Sequence, residues 1–353
     1  MINQQNDTFI ILTPGFASSE ADTNCLPMQQ GLIRTLREEY PNLNIILLAF
    51  QYPYFKRTYQ WQGATVISFN GKNKGGLSRI IREREIMAVL KKLHRTNKLI
   101  GLLSFWMAEC AGVGNRFAKE NGLKHYCWIL GQDARVSNKY IKYMKAESDE
   151  MVALSDFLQD EFERNHGVRP AYMIPSGTDI KRLPPPAAKR DIDILGAGSL
   201  IALKRFDRFV EIIAAIKKQV PAVTAQLVGE GPEKEKILAL IARHQLQDTI
   251  ILTGEIPHPE LLKLMQRAKI LLHPSLYEGF SGVCQEALAC GAQVISFCRA
   301  MKQEIDQWHI VNNDQEMIAV TVSLMQESSF ANHPVIPFPM TDVAGKMMEL
   351  FGR

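Results

Sequence analysis

Short apolar runs alternate with longer helical patterns along almost the whole chain, and this alternation constrains the fold most. The pattern predicts strands at 9–12, 44–50, 64–69, 98–103, 124–129, 151–154, 171–174, 192–195, 222–228, 250–253, 270–272 and 293–297. Helical stretches between them include 28–39, 78–95, 106–120 and 155–165. Strands that alternate with helices form parallel sheets covered on both faces. We therefore predict an α/β chain with two doubly wound domains that face a cleft.

Three consecutive prolines at 184–186 mark the best boundary between two such series. Consecutive prolines continue neither a helix nor a central strand. An earlier pause at 175–178 precedes them, and a length of 353 residues fits about two domains. We accordingly assign residues 1–180 to an N-terminal domain and residues 181–335 to a C-terminal domain.

The composition excludes several classes of protein. The chain is 46% hydrophobic and 22% charged, and its net charge of +4 is too weak to indicate a nucleic-acid partner. No apolar run approaches the roughly 18–20 residues that span a bilayer. The polar N-terminus lacks the basic residues of a signal peptide, and the six cysteines form no CxxC pair. We expect a cytoplasmic protein that is at most peripheral to a membrane.

The most informative segment is 271–291. An apolar strand ends at Pro274, a glycine-containing loop follows, and the next helix ends at Gly291. A strand, a loop and a helix N-terminus in this order hold phosphate on free backbone N–H groups. Gly279 and Gly282 would let a ligand approach the main chain closely.

Two carboxylates flank this loop, Glu278 and Glu286, eight residues apart. Eight helical residues rise by about 12 Å at most, which is too far for a paired acid and base on one bond. The spacing suits two separated hydroxyl clusters on one extended ligand, with phosphate between them. In the alternative interpretation Glu278 only stabilises the helix N-terminus and Glu286 is merely exposed.

The pattern Pro-Ser-x-x-Glu-Gly-Phe followed by Glu-Ala-Leu-Ala-x-Gly resembles the signature of retaining glycosyltransferases of family 4. That family has the GT-B fold, with two Rossmann-like domains. The resemblance implies that Glu278 contacts the donor sugar hydroxyls and Glu286 the ribose hydroxyls. It also implies that the amides around Phe280, Ser281 and Gly282 hold sugar and diphosphate oxygens.

Other segments of the C-terminal half agree with this resemblance. Gly229 lies in a stretch that resembles the family's strand-end turn. Gly254, Glu255 and Ile256 match the loop that usually abuts the nucleotide base. The resemblance therefore adds these four residues to the donor site.

The stretch 198–204 lines up with the family's phosphate-binding segment. Lys204 falls at the family's lysine, where a cation would neutralise the leaving diphosphate. A surface lysine that opens a helix is the alternative. Ser199 stands in place of the family's arginine, and this departure weakens the expected charge clamp.

The N-terminal half resembles the family in layout only. Gly15 lies in a predicted turn at 13–15, where the family carries a Gly-rich loop near the donor, or it is only a turn glycine. The family's histidine has no clear counterpart, so Gln132 or Asp133 would take over acceptor or donor contacts. Trp106 is either a cleft-edge residue or a core residue.

A basic stretch at 78–98 has two interpretations. It is a face for an anionic lipid or acceptor, or the solvated face of a packed helix, because Glu83 and Glu85 are interspersed. We favour the solvated helix.

Two motifs suggest other chemistry but do not fit it. The glycines at 196–198 lack the third glycine of a dinucleotide fingerprint, which argues against a nicotinamide enzyme. Asp191 and Asp193 form a DxD sequence, but it opens a strand instead of ending one. We therefore expect no catalytic metal.

The resemblance implies transfer of a sugar from a nucleoside diphosphate sugar to an acceptor hydroxyl, with retained anomeric configuration. The nucleotide sugar is a co-substrate, and no other cofactor is expected. A glycan or lipid-linked acceptor in cell-surface glycan, polysaccharide or glycolipid synthesis is the general expectation, and peripheral membrane contact fits it. Residues 336–353 should form a helix that returns to the N-terminal domain. The alternatives are a nucleotide-sugar epimerase and a catalytically weak binding protein.

Overall fold

The computed structural model describes residues 6–144, 146–327 and 333–353, and the chain divides into two compact units. The first unit extends to Gly177 and also contains Met340–Arg353. The second unit is Thr178–Pro339. Across the described stretches, no helix combines the length and the apolar character that a bilayer span requires.

The first unit is built on an eight-stranded sheet. Its strands are β1 (Asp7–Gly15), β2 (Asn44–Tyr52), β3 (Lys56–Trp61), β4 (Ala64–Phe69), β5 (Lys98–Phe105), β6 (His125–Ile129), β7 (Met151–Ala153) and β8 (Tyr172–Met173). Its first five helices are α1 (Pro27–Glu39), α2 (Leu77–Thr96), α3 (Glu109–Asn121), α4 (Tyr140–Met144) and α5 (Asp156–His166). The strand order is β3-β4-β2-β1-β5-β6-β7-β8, and all neighbours are parallel except β3 and β4.

Two features of this sheet differ from the sequence prediction. The antiparallel edge strand β3 is absent from the prediction, because its exposed polar residues carry no alternating apolar pattern. The turn predicted at 13–15 is wrong, since β1 continues to Gly15, which pairs with Tyr52 of β2. The tertiary pairing overrides the turn preference of a Pro-Gly pair.

The second unit contains a six-stranded, wholly parallel sheet. Its strands are β9 (Ile192–Ala197), β10 (Ala225–Val228), β11 (Ile250–Gly254), β12 (Ala268–His273), β13 (Gln293–Ser296) and β14 (Trp308–Ile310). The helices are α6 (Phe206–Gln219), α7 (Lys234–Arg243), α8 (His258–Arg267), α9 (Gly282–Ala289) and α10 (Asp314–Gln326). Two buried apolar clusters cover the sheet, one with α6, α7 and α10 and the other with α8 and α9.

The strand order of the second sheet is β11-β10-β9-β12-β13-β14. This is the doubly wound order in which the direction of winding reverses between the first and fourth strands, here β9 and β12. Ligands of such sheets bind in the crevice at the carboxyl ends of those two strands. The fold therefore selects the connections after β9 and β12 as the place for a site.

The last helix, α11 (Met340–Leu350), packs within the first unit. The carbonyl of Leu350 accepts hydrogen bonds from Lys124 Nζ at 2.8 Å and from the Tyr126 hydroxyl at 3.1 Å. The ring of Phe351 meets that of Phe9 edge-on at 4.7 Å. These contacts anchor the C-terminus on β1 and β6.

Candidate functional site

The connections that follow β9 and β12 are hydrogen-bonded to each other. The backbone N–H of Leu276 donates to the carbonyl of Leu203 at 3.1 Å, and the Ser275 hydroxyl donates to the same oxygen at 3.4 Å. The loop after β12 is thereby fixed against the short turn that ends at Lys204. This places the predicted lysine beside the predicted glutamate loop.

Lys204, Glu278 and His273 form a compact polar cluster at this point. Lys204 Nζ lies 2.5 Å from Glu278 Oε1, and His273 Nε2 lies 3.1 Å from the same oxygen. The exposed fractions of these side chains are 21%, 14% and 2% for the lysine, glutamate and histidine. The carboxylate is therefore held by two nitrogens in a largely desolvated place.

The environment of Glu278 keeps it ionised. Burial alone raises the pKa of this carboxyl, but the hydrogen bond and charge of His273 and the ammonium of Lys204 outweigh burial. Together they lower the pKa of Glu278 from 4.5 to about 2. At neutral pH the group is a hydrogen-bond acceptor, which suits recognition of hydroxyls.

The N-terminus of α9 opens directly beside this cluster. Ser281 is its N-cap residue but makes no side-chain capping bond, and its hydroxyl lies 3.3 Å from His273 Nε2. A Cβ added to Gly282 would meet no atom within 4 Å. The positive end of the helix dipole and a glycine with open space beside it thus adjoin this cluster.

The buried side chain of Phe280 anchors the loop that follows β12. Its ring is buried, stacks on Trp308 with centroids 5.6 Å apart, and meets Phe338 edge-on at 5.7 Å. The side chain therefore fixes the backbone of the neighbouring residues Gly279 and Ser281. This packing is consistent with a contribution from Phe280 through its backbone amide only.

The second predicted carboxylate, Glu286, also has a histidine partner. His258 Nε2 of α8 lies 2.8 Å from Glu286 Oε1, and both side chains are partly exposed. The prediction includes neither His258 nor His273. His273 is identifiable from its place at the end of β12, whereas His258 is 28 residues from its partner.

The glycines of the neighbouring turns serve close backbone packing. A Cβ on Gly229, whose φ is 151°, would lie 1.9 Å from the carbonyl oxygen of Gly198. The N–H of Gly229 donates to the carbonyl of Gly254 at 3.0 Å. Gly229 thus brings the β9 and β10 connections together. Glu255 is exposed and Ile256 half-buried in the connection after Gly254.

Ser199 lies exposed in the connection after β9. The nearby Arg205 follows Lys204 in a left-handed conformation, and its guanidinium pairs with Asp207 at 2.9 Å. The Arg205 guanidinium is thus committed to its own helix. Lys204 remains the cation of this site that touches Glu278.

The predicted residues of the first unit are less uniform. Gly15 is buried in β1, and Gln132 is exposed. Asp133 is buried, and its Oδ2 accepts the N–H groups of Met107 at 2.8 Å and Leu130 at 3.0 Å. Burial raises the pKa of Asp133 to about 7, against the effect of those two donors. The Asp133 side chain holds the loop that contains the half-buried Trp106. This favours a structural role for Asp133.

Metal-ligand clusters are absent from the part of the chain that the structure describes. The DxD pair is used elsewhere: Asp191 pairs with Arg267 at 2.7 Å and Asp193 with Lys269 at 2.7 Å. Both carboxylates lie at the amino end of the second sheet. This is the edge opposite to the Glu278 cluster.

The second unit also contains a cavity of about 550 Å³. The loop 299–307, strand β14 and Phe280 line it, while Lys204, Glu278 and Glu286 do not. Its volume alone does not identify a site. The charged cluster at the switch point has the stronger physical argument.

Comparison with known proteins gives a family match within the second unit. Residues 178–331 match the family model described as glycosyl transferases group 1. The phosphatidylinositol N-acetylglucosaminyltransferase gpi3 subunit of Schizosaccharomyces pombe is 28% identical over 166 residues, which cover 46% of this chain and 36% of that protein. Glycogen synthase of Mycobacterium tuberculosis is 27% identical over 190 residues, which cover 52% of this chain and 45% of that protein. Each alignment spans less than half of the relative.

Solved structures match over nearly the whole chain. Sucrose-phosphate synthase from Thermosynechococcus elongatus has a TM-score of 0.75 at 18% identity and covers 98% of both chains. Anabaena HepE, solved with UDP and glucose, has a TM-score of 0.71 at 14% identity and covers 99% of this chain and 100% of its own. The chain thus has the GT-B glycosyltransferase fold, and its second unit contains a domain that matches the group 1 glycosyltransferases.

Proposed function

We propose that the chain is a retaining, metal-independent glycosyltransferase that uses a nucleoside diphosphate sugar. The observation that carries this proposal is the Lys204–Glu278–His273 cluster beside the uncapped N-terminus of α9. A cation, an ionised carboxylate and helix amides at a switch point match the needs of a diphosphate joined to a sugar.

In the proposed complex the diphosphate lies against the amides at 279–282 and against Lys204. The anionic diphosphate competes for the ammonium, so Lys204 turns from Glu278 towards the phosphate oxygens. Glu278 keeps His273 and accepts hydrogen bonds from the sugar hydroxyls. Glu286, which His258 holds in place, accepts hydrogen bonds from the ribose hydroxyls.

The proposed reaction breaks the bond between the sugar C1 and the phosphate oxygen, and the electron pair leaves with the diphosphate. The acceptor oxygen bonds to C1 on the same face, which retains the configuration. The acceptor proton passes to the departing phosphate oxygen. Lys204 and the loop amides stabilise the developing charge, so neither a metal nor a protein nucleophile is required.

The acceptor is proposed only as a hydroxyl of a glycan or lipid-linked glycan, bound by the first unit in the cytoplasm. The names of the relatives include lipid and polysaccharide acceptors, and they do not narrow this class further. Because HepE was solved with UDP, uridine diphosphate sugars are the first donors to test.

The test combines ligand binding with product analysis. Nucleotide sugars should raise the thermal midpoint, and slow release of nucleoside diphosphate should persist in EDTA and disappear in Glu278→Ala. NMR of the released sugar should show the donor's anomeric configuration first. If no nucleotide sugar raised the thermal midpoint, the proposal would be rejected. An altered sugar still joined to the nucleotide would identify an epimerase.

A further inference from the structure

The first two turns of α2 expose three large apolar side chains to solvent. Leu77 is 72% exposed, Ile80 45% and Ile81 52%. Residues three and four positions apart lie on one helical face, so these side chains adjoin each other. The apolar residues that bury α2 against the sheet come later, at Ile86 and Leu90. A folded unit that leaves such a cluster exposed marks an interaction surface.

Basic side chains surround this cluster. Lys72 and Lys74 lie exposed in the loop before α2, and Arg84 lies exposed one turn after Ile80. Within the described stretches these three cations have no ion-pair partner. The two acidic neighbours are already neutralised, because Glu83 pairs with Arg79 at 3.2 Å and Glu85 with Lys56 at 2.8 Å. The surface therefore carries a net positive charge.

The loop that presents the lysines is held rigidly from behind. Arg82 is buried and makes a double ion pair with Glu109, at 2.7 Å and 3.0 Å. Its guanidinium also donates to the carbonyl of Lys74 at 3.3 Å, while Gln51 accepts the N–H of Asn73 at 2.9 Å. The loop conformation is thus set by buried contacts and is ready for a partner.

The basic apolar patch consists of Lys72, Lys74, Leu77, Ile80, Ile81 and Arg84. We propose that this patch binds the surface of an anionic phospholipid bilayer. Aliphatic side chains enter the boundary between head groups and acyl chains, and the surrounding cations meet the lipid phosphates. Three aliphatic side chains are too few for the roughly 1,000 Å² of a stable protein interface. Combined with charge, they suffice for reversible membrane binding.

The patch includes only the first part of the basic stretch 78–98. Arg82 is buried in its ion pair with Glu109, and Lys98 lies at the start of β5, where it pairs with Asp7 at 3.0 Å, so neither residue belongs to the patch. The lipid-binding surface lies at the start of α2 and in the preceding loop. That loop follows the carboxyl end of β4, the sheet edge at which α/β domains bind ligands. Membrane binding does not depend on sugar transfer.

Vesicle binding tests the proposal with the full chain. The chain should sediment with phosphatidylcholine vesicles containing roughly one third phosphatidylglycerol, and not with pure phosphatidylcholine. Lys72→Gln with Lys74→Gln should weaken binding by about 25-fold, since each charge contributes about fivefold. Ile80→Ser with Ile81→Ser should weaken it by at least about tenfold. All four residues are exposed, so the thermal midpoint should be unchanged.

A matched control is Lys91→Gln with Lys92→Gln on the same helix. These exposed lysines lie about 15 Å beyond Ile81, outside the screening length of about 10 Å, and should leave affinity within about twofold. Leu77→Trp should show a blue shift of its fluorescence on anionic vesicles. Equal binding to neutral vesicles would overturn the proposal. Normal vesicle binding by the Ile80→Ser, Ile81→Ser variant would also overturn it. So would poly-glutamate that competes for the patch as well as anionic vesicles do, because that result would indicate an acidic protein partner.

Discussion

Lys204 Nζ and Glu278 Oε1 lie 2.5 Å apart, although their residues belong to different connections of the second sheet. One side chain follows β9 and the other follows β12, the two strands between which the winding reverses. The ion pair therefore spans the crevice where the fold favours a ligand. The oxygens of an anionic ligand would replace Glu278 as the acceptor of the Lys204 ammonium. Glu278 would keep His273, so neither buried charge would be left without a partner.

Replacement of the lysine should separate chemistry from folding. Lys204→Met removes the cation proposed to stabilise the leaving diphosphate, so the rate of donor breakdown should fall by about 100-fold or more. Rates at saturating nucleotide sugar measure this effect. Lys234→Met is the matched control, because Lys234 pairs with Glu230 on the surface at 3.0 Å. Equal losses in both variants would argue against a special role for Lys204.

The depressed pKa of Glu278 predicts a defined pH dependence of stability. Its folded-state pKa of about 2 lies below the ordinary 4.5, so the ionised group stabilises the fold above pH 4.5. That stabilisation, about 3 kcal/mol at most, is lost as pH falls from 4.5 towards 2. The difference in thermal midpoint between the chain and Glu278→Gln should therefore shrink on acidification.

The control for this pH series is Glu260→Gln. Glu260 pairs with Lys263 on an exposed surface, where such pairs contribute about 0–1 kcal/mol. Its midpoint difference from the unmodified chain should be small at every pH. A Glu278→Gln difference that stays constant down to about pH 3 would contradict the assigned environment of Glu278.

His258 should act as a positioning residue for Glu286. In His258→Ala the Glu286 carboxylate would lose the hydrogen bond that orients it. Because the ribose is bound equally tightly in the ground state and in the transition state, KM for the donor should rise about tenfold. The value of kcat should stay within about twofold. His258→Gln should recover part of the loss, while the exposed His244→Ala should change neither constant. A fall in kcat alone would instead place His258 in the chemical step.

The architecture and the centre of the site are predictable because their signals are local. Strand and helix periods identify the two sheets, and the segment 271–291 contains Glu278, the glycine loop and Glu286 in one continuous motif. The histidine partners are not predictable in this way. His258 reaches Glu286 from another helix, and only the packing of α8 against α9 creates that contact.

Periodicity alone does not identify the buried face at the start of α2. Leu77, Ile80 and Ile81 have the spacing of a buried helical face, yet the structure exposes all three. The buried face is set by Ile86 and Leu90, which meet the sheet. At Gly15 the local turn preference loses to strand pairing with β2. In both places long-range packing decides between local alternatives of similar merit.

Two glycines of the site should differ in how their replacement by alanine affects stability. A Cβ on Gly229 would lie 1.9 Å from the carbonyl oxygen of Gly198, so Gly229→Ala should destabilise the chain by about 2 kcal/mol or more. A Cβ on Gly282 meets nothing within 4 Å, so Gly282→Ala should leave the thermal midpoint unchanged. If the diphosphate lies against α9, the added methyl group occupies its place.

Gly282→Ala should therefore weaken nucleotide-sugar binding by at least about tenfold while the fold is intact. Thermal midpoints measure stability, and titration calorimetry with a bound nucleotide sugar measures affinity. Gly345→Ala in α11 is the matched control, because a Cβ there also meets nothing within 4 Å. Unchanged affinity in Gly282→Ala would move the diphosphate away from the helix N-terminus, since a ligand held by those amides passes within contact distance of the new methyl group.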